Sequence, residues 1–432
     1  NLPNYWINAK NIKNYILDDP LLDWLNIYGQ ENGFEFDRQK KDLFKEFIRN
    51  KSENFKQMIL NNIVSQHIID KKLPLRSRVS LTSKYIIEGK DIIVNGELFD
   101  NEINIYGSCD IIVRSDKINK IFKTQYEYEK KPCSLHNNFH YVIINMKCIK
   151  IKISKKMNIL NTKKNMVFKS ESIILNRCLG KIQGYTPDKC FIIGDKYEIN
   201  NTITSDVEYV AEINIEEEKE LNKKIENSIQ WLKELYLYGK NWQIYPPSRN
   251  ELYPNMCNTE NDFPWNKIKK EIAIKLNEIT LLWNCGKKQR DLFHKEGIYE
   301  WTDHNFNTDK LSFNKDKKKI ISKMVDINHY YNDSLSVYPR KIKKKQNIKI
   351  LTQDEVEFIV DFETINMEDN EKQFNGIFMI GCFVNFKDKK KNEFNQFIAK
   401  DLTDEEEKKI ITEWIDYMNF FEEKFNLKSK IF

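Results

Sequence analysis

Two short stretches of this sequence place polar side chains where they could share a metal ion. "YGSCDIIVRSD" puts Asp110 at the head of an Ile-Ile-Val run, and "HYVIINMKCIKIKI" carries Asn145 and Lys147 two positions apart. Residues i and i+2 of a strand face the same side. An acid on one strand, with an acid and a lysine spaced by two on its neighbour, is one arrangement that can support metal-assisted phosphodiester hydrolysis. Carboxylates hold Mg²⁺ or Mn²⁺, the metal polarises the phosphate and generates hydroxide, and the lysine stabilises the developing charge. Here the frame is present, but an amide stands where the second carboxylate would be. Further on, "FIVDFETI" ends an apolar run with Asp361 and Glu363, again spaced by two. Taken bare, both patterns are common, and the bland reading of each is a strand end carrying solvated polar groups.

The surrounding sequence supplies elements able to position these groups. The first stretch, Trp6 to Tyr28, reads as amphipathic helix, with Pro20 as a start signal and Gly29 as a stop. A second helical pattern runs from about Lys40 to Ile69 through Phe44, Phe47, Phe55 and Ile59. The period then changes. "KDIIVNGEL", "IYGSCDIIVRSD", "KINKIFKTQYEYEKK" and "HYVIINMKCIKIKI" are short, rich in Ile and Val, and predict strands. "SESIILNRCLG" predicts a helix closing at Gly180, and "KCFIIGDKYEI" one more strand. Residues 213–239 predict a long charged helix. Further helices are expected over Lys267 to Trp283 and Lys317 to Tyr331. From Glu355 a new unit begins, with strands "VEFIVDFETI", "GIFMIGCFVNF" and "NEFNQFIA", then a helix capped by Thr403 with Glu406 three residues on.

Bulk properties fit folded domains. The chain has 432 residues, 40% hydrophobic and 31% charged, and its 26 Phe, 20 Tyr and 8 Trp can fill substantial cores. The net charge of +6 is a mild excess. Its clustering says more, with basic runs at Lys150 to Lys156, Lys315 to Lys319, Lys341 to Lys345 and Lys387 to Lys391. A single run usually marks a solvated face; several together favour phosphate contact. Lys150, Lys152, Lys287, Lys288 and Arg290 are the candidate nucleic-acid contacts, and Trp283, Tyr299 and Trp301 are expected to be buried. Eight cysteines occur without a C-x-x-C pair or a zinc spacing. No signal peptide opens the chain and no apolar stretch is long enough to span a bilayer. A soluble, intracellular protein is expected, with a viral setting (host cytoplasm or virion) included.

The segments "NYILDDPLLDWLNIYG", "GSCDIIV", "HYVIINMK", "LGKIQGYTPDKCFIIG", "LYPNM", "EITLLWNCGKKQRDLFHKEGIYEWTD" and "VDFET" follow one another in an order that resembles RecB-like PD-(D/E)XK nucleases joined to a ribonuclease H-like domain of the DEDD exonuclease type. Such proteins occur in bacteria and in large DNA viruses. The resemblance implies that Asp110 matches the family's metal-binding Asp and Lys147 its catalytic Lys. Asn145 stands where the family has an acidic ligand, and Lys56 where a helical Glu is expected. Glu171 and Leu175 replace the Gln and Tyr of the next motif. Asp361 and Glu363 match the first exonuclease motif. Asn offers Mg²⁺ one neutral oxygen, and Lys56 brings positive charge toward the metal position, so a degraded first site is expected.

The expected fold is α/β, with an N-terminal helical segment (1–39), a mixed-sheet restriction-endonuclease-like domain (40–205), a helical connector (206–340) and an incomplete ribonuclease H-like domain (341–432). The expected function is that of a nucleic-acid-processing protein resembling metal-dependent DNA nucleases, with Mg²⁺ or Mn²⁺ at Asp110, Asp361 and Glu363 if active. The alternative is a non-catalytic nucleic-acid-binding or scaffold subunit with a protein partner in a larger complex. DNA is expected ahead of RNA, and no membrane.

Overall fold

The structure is a computed structural model. It describes residues 5–36, 43–63, 66–124, 126–127, 134–136, 138–154, 158–206, 208–329, 356–368, 373–386 and 392–425. The chain divides into two compact units, Asn1–Asp333 and Ser334–Phe432.

The first unit opens with β1 (Ile7–Asn8), a 3-10 turn, α1 (Lys13–Ile16) and α2 (Leu21–Trp24), which runs on as a π-type turn over Leu25–Gly29. The single helix expected over Trp6 to Tyr28 is thus broken. Asp18 adopts a left-handed φ of 62° between α1 and α2, and Pro20 starts the second helix. Next come α3 (Leu43–Asn61) and β2 (Gln66–Ile68), where the helical pattern had been expected to continue to Ile69. They lead into α4 (Leu75–Ile87), β3 (Ile92–Asp100) and β4 (Ile105–Arg114). A strand was expected from Lys117 onward. Instead α5 (Ile118–Ile121) forms, because Ile118 and Phe122, four apart, both turn into the core. Residues 125 and 128–131 of that segment lie outside the described residues.

β5 (Tyr141–Ile153) is followed by α6 (Lys163–Gln183). Helix α6 starts earlier than expected, with Thr162 Oγ1 accepting from the Asn165 N–H, and it passes through Gly180 to end at Gly184 with φ 73°. Gly180 is a close-approach residue, not a stop: a Cβ there would come within 2.0 Å of Thr186 Oγ1. The unit continues through β6 (Lys189–Ile199), β7 (Thr202–Thr204), β8 (Ala211–Asn214), α7 (Lys219–Tyr238), α8 (Asn266–Lys275), α9 (Lys287–His294) and α10 (Lys315–His329). Two expected helices are therefore shorter. Residues 211–214 are strand, and the helix expected to reach Trp283 stops at Lys275, with a 3-10 turn at Ile279–Leu281.

Eight strands form one mixed sheet in the order β2-β3-β4-β5-β6-β7, with β1 beside β4 and β8 beside β6. The β1–β4, β2–β3 and β5–β6 pairs are parallel, the others antiparallel. The sheet thus recruits residues from segments read as separate N-terminal and connector parts. β5 is apolar on both faces because both are covered, as its unbroken Val-Ile-Ile run requires. One face packs Ile143, Leu98 and Ile192 against Trp24, Leu175, Leu179 and Trp231; the other packs Ile144, Val113 and Ile193 against Phe55, Ile59 and Phe122.

The second unit is an antiparallel sheet in the order β11-β10-β9, built from β9 (Val356–Glu368), β10 (Gln373–Phe386) and β11 (Glu393–Ile398) and covered by α11 (Asp404–Phe425). Thr403 Oγ1 accepts from the Glu406 N–H at 3.3 Å. The basic runs Lys341 to Lys345 and Lys387 to Lys391 lie outside the described residues.

The "DDPLLDW" segment is anchored in the first unit by buried polar groups. Lys269 Nζ bonds Asp19 and Asp262, all three buried. Asp23 accepts from Asn14 Nδ2 at 2.7 Å and Trp231 Nε1 at 3.0 Å and has no cation partner among the described residues. Burial pushes the Asp23 carboxyl up to about 7 from its ordinary 3.8. Its stabilisation is therefore complete below the unfolded value and lost as pH rises through about 7. Asp23→Asn should flatten the fall in unfolding free energy between about pH 4 and 7, read from urea titrations at stepped pH. An unchanged slope would remove Asp23 as its source.

Candidate functional site

β4 and β5 pair from Ile111 opposite Ile144 to Arg114 opposite Tyr141. Before Ile111 on β4 and after Ile144 on β5, side chains replace the ladder. The Met146 N–H donates to Asp110 Oδ2 at 2.7 Å, and the Asp110 N–H donates to Asn145 Oδ1 at 3.4 Å. The other Asp110 oxygen, Oδ1, accepts from Lys56 Nζ at 2.6 Å. Asn145 Nδ2 donates to Ser172 Oγ at 2.8 Å, and Lys147 Nζ donates to Glu171 Oε2 at 2.7 Å while lying 5.1 Å from the centroid of the Phe168 ring.

The structure therefore brings all five predicted residues of the first constellation together. Asp110 comes from β4, Asn145 and Lys147 from β5, Glu171 from α6 and Lys56 from α3. Ser172 and Phe168 were not singled out from sequence. Their only signal was helical: Phe168, Glu171, Ser172 and Leu175 recur at spacings of three and four along α6, the face that meets the sheet.

The electrostatics are self-contained. Two ammonium groups face two carboxylates, and Asn145 is neutral. The side chains of Asp110 and Lys56 are 13% and 22% exposed, so solvent screens their contact only in part. Burial works to lower the Lys56 ammonium, but the charge and hydrogen bond of Asp110 outweigh it and hold Lys56 above its ordinary value. Burial pushes the neighbouring Cys109 thiol well up, which removes it as a nucleophile.

A divalent cation requires free oxygen ligands of net negative charge. Both oxygens of Asp110, Oε2 of Glu171 and Oδ1 of Asn145 are already engaged, and two ammonium groups would oppose the metal. This donor set does not fit Mg²⁺ or Mn²⁺.

Asp361 and Glu363 are placed differently. Phe358 and Phe362 meet Phe421 and Trp414 of α11 edge-on and Val360 packs beside them, so the alternate residues Ile359, Asp361 and Glu363 point to the opposite face of the sheet. There the two acids are exposed, and neither forms an ion pair among the described residues. Asp361 lies opposite Gly381 and Glu363 opposite Met379. The pair could supply two metal ligands, but the described residues contain no cluster of three or more metal-binding side chains.

The predicted phosphate contacts divide. Arg290 is a correction: it is 1% exposed, its Nη1 donates to the carbonyls of Tyr253 and Pro254, and it faces buried Glu278. It holds the loop and reaches no solvent. Lys287 pairs with Asp291, and Lys150 and Lys152 share Glu198 at 2.8 and 3.2 Å. Lys288 is exposed and forms no ion pair among the described residues. Trp283 and Tyr299 are each 45% exposed, against the expectation of burial, whereas Trp301 packs on the core around Phe293.

No protein-family profile matches the chain, and no curated protein matches it. No helix among the described residues is long and apolar enough to cross a membrane.

Removing Asp110 leaves two partners unmatched, Lys56 and the Met146 N–H, whereas removing Lys56 leaves one. Asp110→Ala should cost about 2–3 kcal/mol and Lys56→Ala about 1 kcal/mol. Both are readable as shifts in the urea midpoint at constant m. Equal or reversed costs would show that Asp110 does not close the ladder.

Proposed function

We propose that this protein is a nucleic-acid-binding relative of metal-dependent DNA nucleases whose first acidic site is now an internal ion-paired strut and cuts nothing. The observation that carries the reading is the 2.6 Å contact between Lys56 Nζ and Asp110 Oδ1: an ammonium occupies the carboxylate that a catalytic metal would need. The finer fold assignment belongs to the same proposal. Asp110 and the Asn145–Lys147 pair, at the parting of adjacent antiparallel strands in a mixed sheet, support a restriction-endonuclease-like core. An antiparallel sheet presenting Asp-x-Glu from β9 supports a ribonuclease H-like second unit. The resemblance along the chain supports DNA as the ligand, and a scaffold role in a larger, possibly viral-type complex is the alternative that the test separates.

A second reading leaves catalysis to the second unit. Asp361 and Glu363 favour it, being exposed, on one face and without ion pairs among the described residues.

The test is cleavage and binding of single- and double-stranded DNA with Mg²⁺ and Mn²⁺, with Asp110→Ala and Asp361→Ala variants alongside. The expected result is salt-sensitive binding without cleavage at the first site. Metal-dependent cleavage abolished by Asp110→Ala would overturn the proposal, and cleavage abolished only by Asp361→Ala would establish the second reading. No binding by any form would leave the scaffold alternative. Lys56→Glu combined with Asn145→Asp should create Mg²⁺ affinity absent from the natural sequence, measured by calorimetry.

A further inference from the structure

Helix α4 presents a face that carries four hydrogen-bond donors beside two leucines. Arg76, Ser80 and Lys84 are spaced by four and stack along one side, with Ser77 beside Arg76. All four are exposed. With Leu73 and Leu81 they line a shallow open depression of about 440 Å³. Arg76, and Lys71 and Lys72 in the turn that leads into the helix, form no ion pair among the described residues. Among the described residues Lys84 pairs only with exposed Glu88, at 3.8 Å. Many other cations of this unit are compensated, among them Lys123, Lys150, Lys152, Lys169, Lys181 and Lys189.

The inner side of the same helix is fixed to the sheet. Arg78 lies 3.4 Å from Glu97, which accepts from Ser108 Oγ at 2.7 Å, and the Glu97 N–H donates to Thr82 Oγ1 at 2.8 Å. Ser108 is two residues before Asp110 on β4. The buried acid of this helix–sheet junction, Glu97, is thus spent inward on Arg78, and the outer donors are held on an element fixed to the sheet.

We infer that this face of α4 is a contact strip for the sugar-phosphate backbone of a nucleic acid, read without regard to base sequence. From Arg76 to Lys84 the helix rises about 12 Å, which spans several phosphates at roughly 3.4 Å of rise per strand. Two cations and two hydroxyls can each meet a phosphate oxygen, and the lining offers no carboxylate to repel it. The inference rests on the proposed reading of the protein as a nucleic-acid binder and adds where the backbone lies.

The experiment measures binding of the full chain to labelled single- and double-stranded DNA across a salt series. Arg76→Glu with Lys84→Glu should weaken binding by at least about tenfold and reduce the slope of log affinity against log salt by about two. Ser80→Glu, a single exposed change, should weaken it in the same direction. A charge-matched control, Lys219→Glu with Lys223→Glu on exposed α7 positions, should leave the slope in place. Equal losses from the α4 variants and the control would reduce the effect to net charge and overturn the strip, as would unchanged binding by the α4 variants. Absence of DNA binding by the natural sequence would instead remove the nucleic-acid reading itself and the inference with it.

Discussion

The parting of β4 from β5 is the constraint on which the candidate site depends. Backbone pairing stops at Ile111 and Ile144, yet Asp110 and Asn145 lie beneath packed helices, where an unpaired amide costs about 1–3 kcal/mol. Two side chains close the gap: a carboxylate oxygen takes the Met146 N–H and an amide oxygen takes the Asp110 N–H. Once Asp110 is committed to that task its charge needs a partner, and α3 supplies Lys56 from one side. Asn145 in turn donates to Ser172, and Lys147 to Glu171, both on α6. What looks like a catalytic cluster in sequence is, in this geometry, a set of groups that satisfy one another.

That mutual satisfaction also explains why asparagine suits position 145. A carboxylate there would face Ser172 Oγ acceptably, but it would add a second negative charge beside Asp110 in a site 1% exposed at that residue. Like charges so close, and so poorly solvated, require a cation between them. With Lys56 already on Asp110 and Lys147 on Glu171, no third cation is at hand among the described residues. The amide keeps the hydrogen bonds and omits the charge. Lys56 and Asn145 are therefore coupled, the cation at 56 and the neutral amide at 145 each suiting the other.

Much of this was legible in the sequence, for physical reasons that differ by residue. The strands over Ile92–Asp100, Ile105–Arg114, Tyr141–Ile153 and Lys189–Ile199 carry dense β-branched runs, and the i, i+2 rule put Asn145 and Lys147 on one side. Lys56 and Glu171 lie 54 and 61 residues from Asp110 and carry no local signal linking them to it, so only the resemblance connected them. Ser172 escaped because a serine in a helix has no pattern of its own. Arg290 was misjudged because arginine is normally exposed, and nothing in its own segment reveals the carbonyls of Tyr253 and Pro254 that bury it. The broken helix before Tyr28 turns on the left-handed backbone of Asp18, which residue type permits but does not announce.

The second unit shows the contrary case. Helix α11 covers one face of its sheet with Phe358, Val360, Cys382 and Phe421 in contact, while Ile359, Phe394 and Ile398 on the other remain 58%, 65% and 51% exposed. Asp361 and Glu363 share that open face, solvated and without a cation among the described residues. Water screens two such exposed acids from each other. They can therefore wait for a cation, whereas Asp110, shut between strands and helices, had to be given one by the chain itself. Burial is the variable that separates the two sites: the same residue type remains open to metal chemistry where water reaches it and becomes a structural partner where water does not.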